Sequence, residues 1–454
     1  MVVWILVSAV DDLYISLVYL FCRSPRICWP TEAELAAAPE RRIAIFVPLW
    51  HEHEVIREML DHNLAGIRYS NYDLFIGVYP NDLPTARAVT AAARRHPRIH
   101  VARVPHNGPT SKGDCLNWIY RRMREFEQQR DVRFEILVTH DAEDWIHPES
   151  LRLISWFSRD HEMVQVPVLP LPTNPAEVTH GLYCDEFAEY QSKDIPVRQR
   201  LGGFLPANGV GTGFDRAAME RLAESRGGRM FDPDCLTEDY ETGFLLHAQG
   251  CRQIFLPLRL DGSGLVATRE YFPRRFRPAV RQRSRWVAGI TLQGWQHHGW
   301  RVPWRQVYWF WRDRKGLVGN LLSPLANGFC LYGAASFLWS VKMGVTWRLG
   351  TYVPAWLSDT CWSTLLISVV QAGLRMHASA KIYGKRFAAA VPARMLWGNL
   401  INFTATVVAV RQFAEARVRG CGLAWRKTDH AFPVPAFRQA VSEATEFRSL
   451  EKNL

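Results

Sequence analysis

From Gly316 to Val341 the chain carries no charged residue. A run of that length cannot form one wall of a water-soluble helix, and it is long enough to cross the hydrocarbon core of a bilayer. Val353 to Gly373, with Asp359 as its one charge, is a second such run, and Val2 to Phe21 is apolar except for Asp11 and Asp12. A signal peptide needs a positive start and a small-residue cleavage site, and no basic residue precedes Val2. The N-terminal run therefore reads as a membrane helix. Two aspartates at mid-bilayer would cost about 2.5 to 3.5 kcal/mol each, so they are expected at an interface or facing partner helices.

Basic residues set the orientation. Arg23 and Arg26 follow the first run directly, which places the next segment in the cytoplasm. Two later spans then return the chain to the same side at Arg375, Lys381, Lys385 and Arg386. A further run, Phe387 to Val410, is interrupted by Arg394, Asn399 and Asn402. As a span it would carry Arg417, Arg419, Arg426 and Lys427 to the outside, so it reads as an amphipathic interfacial helix, with a third span of the C-terminal part as the alternative.

At 454 residues more than one structural unit is expected. The formal net charge of +11 raises nucleic acid as a partner. The basic residues form no tail or lysine-rich helix, however; they gather at Arg269 to Arg285 and beside the apolar segments, which suits phosphate and a membrane's cytoplasmic face and excludes nucleic acid. The nine cysteines are odd in number and scattered, with no CxxC pair. That argues against a disulfide framework and against a zinc site, and it suits a reducing compartment.

Between Arg41 and about Gly299 the pattern changes. Short apolar runs at Ile43–Val47, Leu74–Val78, Ile99–Val104, Phe134–Val138, Met163–Val168 and Ile254–Leu258 alternate with polar, helix-like stretches. This alternation predicts an α/β unit with a mostly parallel sheet. Ligands of such sheets gather beyond the C-terminal ends of the strands. There the fourth run is followed by His140-Asp141-Ala142-Glu143-Asp144, three acids in four residues. They suit a divalent cation carrying a phosphorylated ligand, or else an acidic loop or helix start.

Other polar groups fall at the same edge. Pro48 stops the first strand, and Trp50 and Glu52 could stack on a base and hold a ribose, or simply open a helix. His51-Glu52-His53-Glu54 is not HExxH, because position 55 is Val55. Asp82 follows the second strand. Lys112, in Ser111-Lys112-Gly113, opens a helix that could face an anion, but GxxxxGK[ST] is lacking and a P-loop is excluded. Asn208 to Phe214, with Gly211, Thr212 and Gly213, reads as a glycine-rich turn that either approaches a hydroxylated ligand or is only a tight loop. Thr237 reads as the cap of a helix carrying Glu238 and Asp239 in its first turn. Gln282, Arg283, Arg285 and Trp286 end a run of seven arginines from Arg269; arginine forks suit diphosphate, and a headgroup-facing amphipathic helix is the alternative.

Taken in order, Val-Pro-x-x-x-Glu, Lys-Gly-x-x-Leu-Asn, Asp-Ala-Glu, Thr-Glu-Asp and Gln-x-x-Arg-Trp, followed by membrane segments, resemble the processive family 2 glycosyltransferases, such as cellulose, hyaluronan and poly-N-acetylglucosamine synthases. The resemblance covers residues 43 to about 315. The Asp11-Asp12 pair and the Asp-Ala-Glu-Asp form are most similar to the bacterial inner-membrane phage adsorption protein B type.

The resemblance implies a GT-A-like, Rossmann-like α/β fold with a mostly parallel sheet flanked by helices, plus transmembrane and interfacial helices. The implied segments are an N-terminal span at 1–23, a cytoplasmic catalytic domain at 40–300, an interfacial helix at 301–315, two spans at 316–376, the 387–410 helix, and a cytoplasmic tail at 411–454. That tail is too short for the nucleotide-sensing domain that can follow the membrane region in this subfamily. The implied activity is inverting, metal-dependent transfer from a UDP-sugar to a growing exopolysaccharide or other glycan at the bacterial inner membrane.

By the same resemblance, Glu52 and Asp82 hold the uridine, with Pro48, Trp50 and Lys112 beside it. Asp141 faces the nucleotide and the metal, Mg2+ or Mn2+, whose second ligand is Glu143 or Asp144. Asp239 is the general base with Glu238 adjoining, and Gln282, Arg283, Arg285 and Trp286 bind the diphosphate. Trp286 with Gly211, Thr212 and Gly213 meets the acceptor. Membrane lipid, an outer-membrane export or receptor protein and further copies of the chain are the implied partners. A non-catalytic scaffold or phage-receptor component, and a monotransferase acting on a lipid phosphate, are the competing readings.

Overall fold

The computed structural model describes residues 1–22, 27–261 and 264–423. Arg23, Arg26, Arg426 and Lys427, on which part of the orientation argument rests, lie outside the described residues.

The centre is a seven-stranded sheet. Its strands are β1 (Ile43–Pro48), β2 (Tyr72–Val78), β3 (Ile99–Arg103), β4 (Ile136–Thr139), β5 (Met163–Gln165), β7 (Thr212–Asp215) and β8 (Gln253–Phe255), while β6 (Val168–Pro170) pairs with Thr268–Glu270 outside it. The order is β3-β2-β1-β4-β7-β5-β8. All neighbours are parallel except β7, which runs antiparallel to both β4 and β5. β1 and β2 read as continuous apolar runs because helices cover both faces of the sheet and both rows of side chains are buried. The two resulting layers form separate cores: Ile43, Ile45 and Val47 face one, Ala44 and Phe46 the other. This is the expected α/β class with a mostly parallel sheet.

One strand was not expected. The Asn208–Phe214 stretch read as a turn, yet Thr212–Asp215 is β7, in the middle of the sheet. Its glycines are needed for packing: a Cβ on Gly213 would lie 2.3 Å from Ile154 Cγ2. The Thr212 hydroxyl, fully buried, donates to Gln165 Oε1 at 2.6 Å.

Around this unit stand long helices at Val2–Phe21, Gly316–Met343, Ala355–Tyr383 and Val391–Arg419, with a shorter one at Trp304–Arg314. Among the described residues two stretches, Val2–Phe21 and Trp304–Met343, are long and apolar enough to cross a membrane. Ala355–Tyr383, the other expected span, falls short of that measure, and its C-terminal half turns Arg375 onto Glu189 of the α/β unit. Val391–Arg419 buries Arg394, Gly398, Ile401, Ala405 and Ala409 along one side, against Leu182 and the Gly316–Met343 helix among others. Asp11 faces partner helices as expected. It accepts from Tyr308 Oη and Lys315 Nζ, each at 2.7 Å, and pairs with Arg312.

Candidate functional site

Beyond the C-terminal ends of β1 and β4 the chain encloses a cavity of about 540 Å³. Pro48, Trp50 and Glu52 reach it from the end of β1, Asp141 and Glu143 from the end of β4, and Lys112 from the start of the Lys112–Arg130 helix. Glu238 and Asp239 enter from the first turn of the Glu238–Ala248 helix, and Gln282, Arg285 and Trp286 from the Phe276–Trp286 helix. Segments far apart in the chain thus deliver their polar groups to one space.

Local structure explains each placement. Ser111 caps the Lys112 helix by accepting from Asp114 N at 3.2 Å, which leaves Lys112 at its first turn, aimed into the cavity. Lys112 Nζ lies 2.6 Å from Asp141 Oδ1 and donates to the Gly209 carbonyl at 3.3 Å. Burial works to lower the pKa of this lysine, but the charges of Asp141, Glu238 and Asp239 outweigh it and hold the ammonium above its ordinary range. Trp50 is fixed edge-on to Tyr79, ring centroids 5.3 Å apart. Gly108 must be glycine here, since a Cβ would stand 2.6 Å from the Trp50 ring.

The acidic cluster divides its labour. Asp141 and Glu143 line the cavity, whereas Asp144 is fully buried behind them. Its Oδ2 accepts from Asp141 N at 3.0 Å and meets His140 Nδ1 at 2.7 Å, so it braces the turn. Burial first, then the Asp141 and Glu143 charges, pushes the Asp144 carboxyl well up, and burial drives the His140 imidazole down to about 3. Such a crowd of carboxylates beside one ammonium is the donor set a hard divalent cation takes.

Asp239 is raised above the usual carboxylate range by burial, with Lys112 opposing, and Glu238 is pushed up to about 7 by burial and then by the Asp239 charge. Thr237 stands at the cap position but makes no capping bond. Its side chain instead packs on Gly289, where a Cβ would come within 2.5 Å of Thr237 Oγ1. Arg285 and Gln282 line the cavity, and the Arg285 Nε and Gln282 Oε1 atoms are buried without a hydrogen-bond partner among the described residues.

Five expected residues stand elsewhere. Asp82 is buried, accepting from His51 N at 2.6 Å and capping the Leu83–Arg95 helix through Thr85 N; it shapes the loop carrying Glu52 rather than lining the cavity. Arg283 turns away, donating to Asn402 Oδ1 at 2.7 Å and pairing with Glu186. Helical geometry makes this unavoidable, because 282, 285 and 286 share a face that 283 does not. Thr212 and Gly213 belong to β7, and a Cβ on Gly211 would lie 2.4 Å from Thr268 Oγ1, so this segment is sheet packing and no acceptor loop.

Sequence reading missed the far end of the cavity. Glu186, Glu189, Asp194, Asp313 and Arg375 line it beside Tyr190. The available signal was Glu186 and Glu189, i and i+3 in the otherwise largely apolar Val178–Glu189 helix, followed by a π-helical turn at Tyr190–Asp194.

Comparison with known proteins agrees with this geometry. The chain is 34% identical over 459 aligned residues to bacteriophage adsorption protein B of Escherichia coli strain K12, and equally to bacteriophage N4 adsorption protein B of Escherichia coli O157:H7. The alignment covers 94% of this chain but only 60% of each relative, so the chain spans about three-fifths of their length. Among solved structures, the mannosyltransferase PcManGT from Pyrobaculum calidifontis, in complex with GDP-Man and Mn2+, shows a TM-score of 0.49 at 17% identity, covering 88% of this chain and 99% of that one. The family model described as "Glycosyltransferase like family 2" matches residues 39–289, the segment that holds every cavity residue from Pro48 to Trp286, and the chain therefore belongs to glycosyltransferase family 2.

Proposed function

We propose that this chain transfers a sugar, with inversion at the anomeric carbon, from a nucleotide diphosphate sugar, a UDP-sugar, to a growing exopolysaccharide or other glycan acceptor at the bacterial inner membrane. The observation that carries the reading is the convergence of Lys112, Asp141, Glu143, Asp239 and Arg285 on one cavity.

Trp50 offers the nucleotide base an aromatic plate and Glu52 adjoins it. Arg285 and Lys112 supply positive charge for a diphosphate. Asp141 and Glu143 are the residues that would hold Mg2+ or Mn2+; Asp144, lying behind them, supports the turn. When bound, that cation neutralises charge on the departing diphosphate. Asp239, whose carboxyl burial raises above its ordinary range, takes the proton of the acceptor hydroxyl as its oxygen attacks the anomeric carbon. Trp286 gives the acceptor sugar an apolar face.

A membrane setting is supported by the apolar helices and by the large side chains they expose, among them Phe329, Trp339, Trp356, Trp362 and Leu366. Our reading puts the α/β unit (40–300) in the cytoplasm, Trp304–Arg314 at the interface and the apolar helices within the bilayer. An outer-membrane receptor or export protein and further copies of the chain are the proposed assembly partners.

The test is radiolabelled nucleotide-sugar transfer by the purified chain in lipid. Divalent-cation-dependent incorporation that is lost in Asp239→Asn supports the reading. Nucleotide-sugar binding without any turnover would leave a scaffold in its place.

A further inference from the structure

On the side of the Glu238–Ala248 helix that faces away from the cavity, Glu241 meets two histidines from another segment. Its Oε2 lies 3.1 Å from His297 Nδ1, and its Oε1 lies 3.4 Å from His298 Nε2. One ligand atom from each of the three falls within 4.8 Å of the others. Among the described residues, this is the one group of three such side chains with metal-ligand spacing, and Cys235, buried in the loop before the helix, stands outside it. The group is separate from the Asp141–Glu143 cluster.

We propose that Glu241, His297 and His298 form a three-residue transition-metal site of zinc type. The distances suit it: Glu241 Oε1 lies 3.3 Å from His297 Nδ1 and 3.4 Å from His298 Nε2, and ligand atoms about 2.0 to 2.1 Å from a tetrahedral zinc stand about 3.3 Å apart. The donor set suits it as well, since two imidazoles and a carboxylate favour a transition metal over the hard cations taken by oxygen-only sites. His298 Nε2 is buried and makes no properly directed hydrogen bond among the described residues, although it points at Glu241. His297, by contrast, is more than a quarter exposed and gives a cation its way in. Arg226, 3.7 Å from Glu241 Oε1, is the remaining cationic group facing the carboxylate and stays as an outer partner. Binding displaces any proton on the imidazoles into solvent.

The location gives the metal a purpose. Glu241 is on the helix that carries Asp239, and the histidines lie on the continuation of the helix that carries Gln282, Arg285 and Trp286. Gln293 already stitches the same two segments, accepting from Leu236 N at 2.9 Å and donating to the Asp234 carbonyl at 3.0 Å. A metal there fixes the base-bearing helix against the arginine-bearing one. A cysteine count cannot find the site, because its three ligands are a glutamate and two histidines.

The test is elemental analysis of the purified full chain after equilibration with excess zinc and desalting. About one zinc per chain is expected, retained in Glu143→Gln and reduced at least tenfold in His297→Gln/His298→Gln. Zinc absent from the wild type, or retained by the folded double variant, overturns the proposal. If the double variant does not fold, Co2+ titrated into the wild type decides. Intense d–d bands of a four- or five-coordinate site that are displaced by zinc support the site. Weak octahedral bands overturn it.

Discussion

Lys112 Nζ is 2.6 Å from Asp141 Oδ1 and 3.3 Å from the Gly209 carbonyl, so one ammonium ties the end of β4 to the loop that abuts Asp239. A cation in this position offsets the charge of the acids around it while the cavity is free of ligand, and it adds positive charge when a diphosphate enters.

Lys112→Met should therefore weaken nucleotide binding by at least about tenfold, since truncating one member of a desolvated charge pair leaves the other uncompensated. Calorimetric titration with UDP checks it. Wild-type affinity in the variant would remove Lys112 from the binding machinery.

Gly209 adopts φ +74°, and a Cβ there would stand 2.6 Å from Asp239 Oδ2 and 3.3 Å from Lys112 Nζ. Gly209→Ala is expected to lower kcat by about 10²-fold through displacement of the base, with KM for the sugar nucleotide changed far less. Equal losses in both constants would point instead to general disruption of the loop.

The pH dependence follows from Glu238, whose carboxyl is raised to about 7. Burial raises the neighbouring Asp239 base as well, so transfer should rise with pH as Asp239 gives up its proton, as a pH profile of kcat/KM would report. Stability moves the other way. The unfolded chain ionises Glu238 near 4.5, the folded chain only near 7, so the folded state holds an extra proton between them and stability falls as pH rises across that window. Glu238→Gln should flatten this part of the stability profile; an unchanged slope would assign it to other groups.

How much of this was legible beforehand varied by element. The parallel strands were legible because both faces of the sheet are covered and each strand spells a continuous apolar run, as Ile43–Val47 does. β7 was not, because a four-residue strand whose glycine is demanded by the Ile154 contact looks like a turn. The same local reading placed Thr212 and Gly213 in an acceptor loop. Asp82 and Arg283 stand off the cavity lining for other reasons: both have suitable chemistry, but capping of a helix turns one inward and helical phase turns the other towards Glu186 and Asn402. The acids at the far end of the cavity could be found only once the fold had joined residues 186–194, 313 and 375.

Arg394 and Asp185 are each about 1% exposed and form a two-pronged pair at 2.6 and 2.9 Å, joining the Val391–Arg419 helix to the α/β unit. Arg394→Ala should destabilise the protein by about 3 to 5 kcal/mol, because the buried Asp185 carboxylate would keep the Ser379 hydroxyl but lose its paired charge. A thermal melt of the detergent-solubilised chain would show it as a lowered transition, and a melt unchanged from wild type would mean that the helix is held by its apolar contacts.

The central claim is that the cavity performs sugar transfer with Asp239 as the base. Its most direct measurement is single-turnover transfer from a radiolabelled UDP-sugar by wild type and Asp239→Asn, with nucleotide binding determined on the same preparations. The account predicts a loss of about 10² to 10⁴-fold in the transfer rate with nucleotide affinity preserved. Transfer at the wild-type rate in the variant would contradict it.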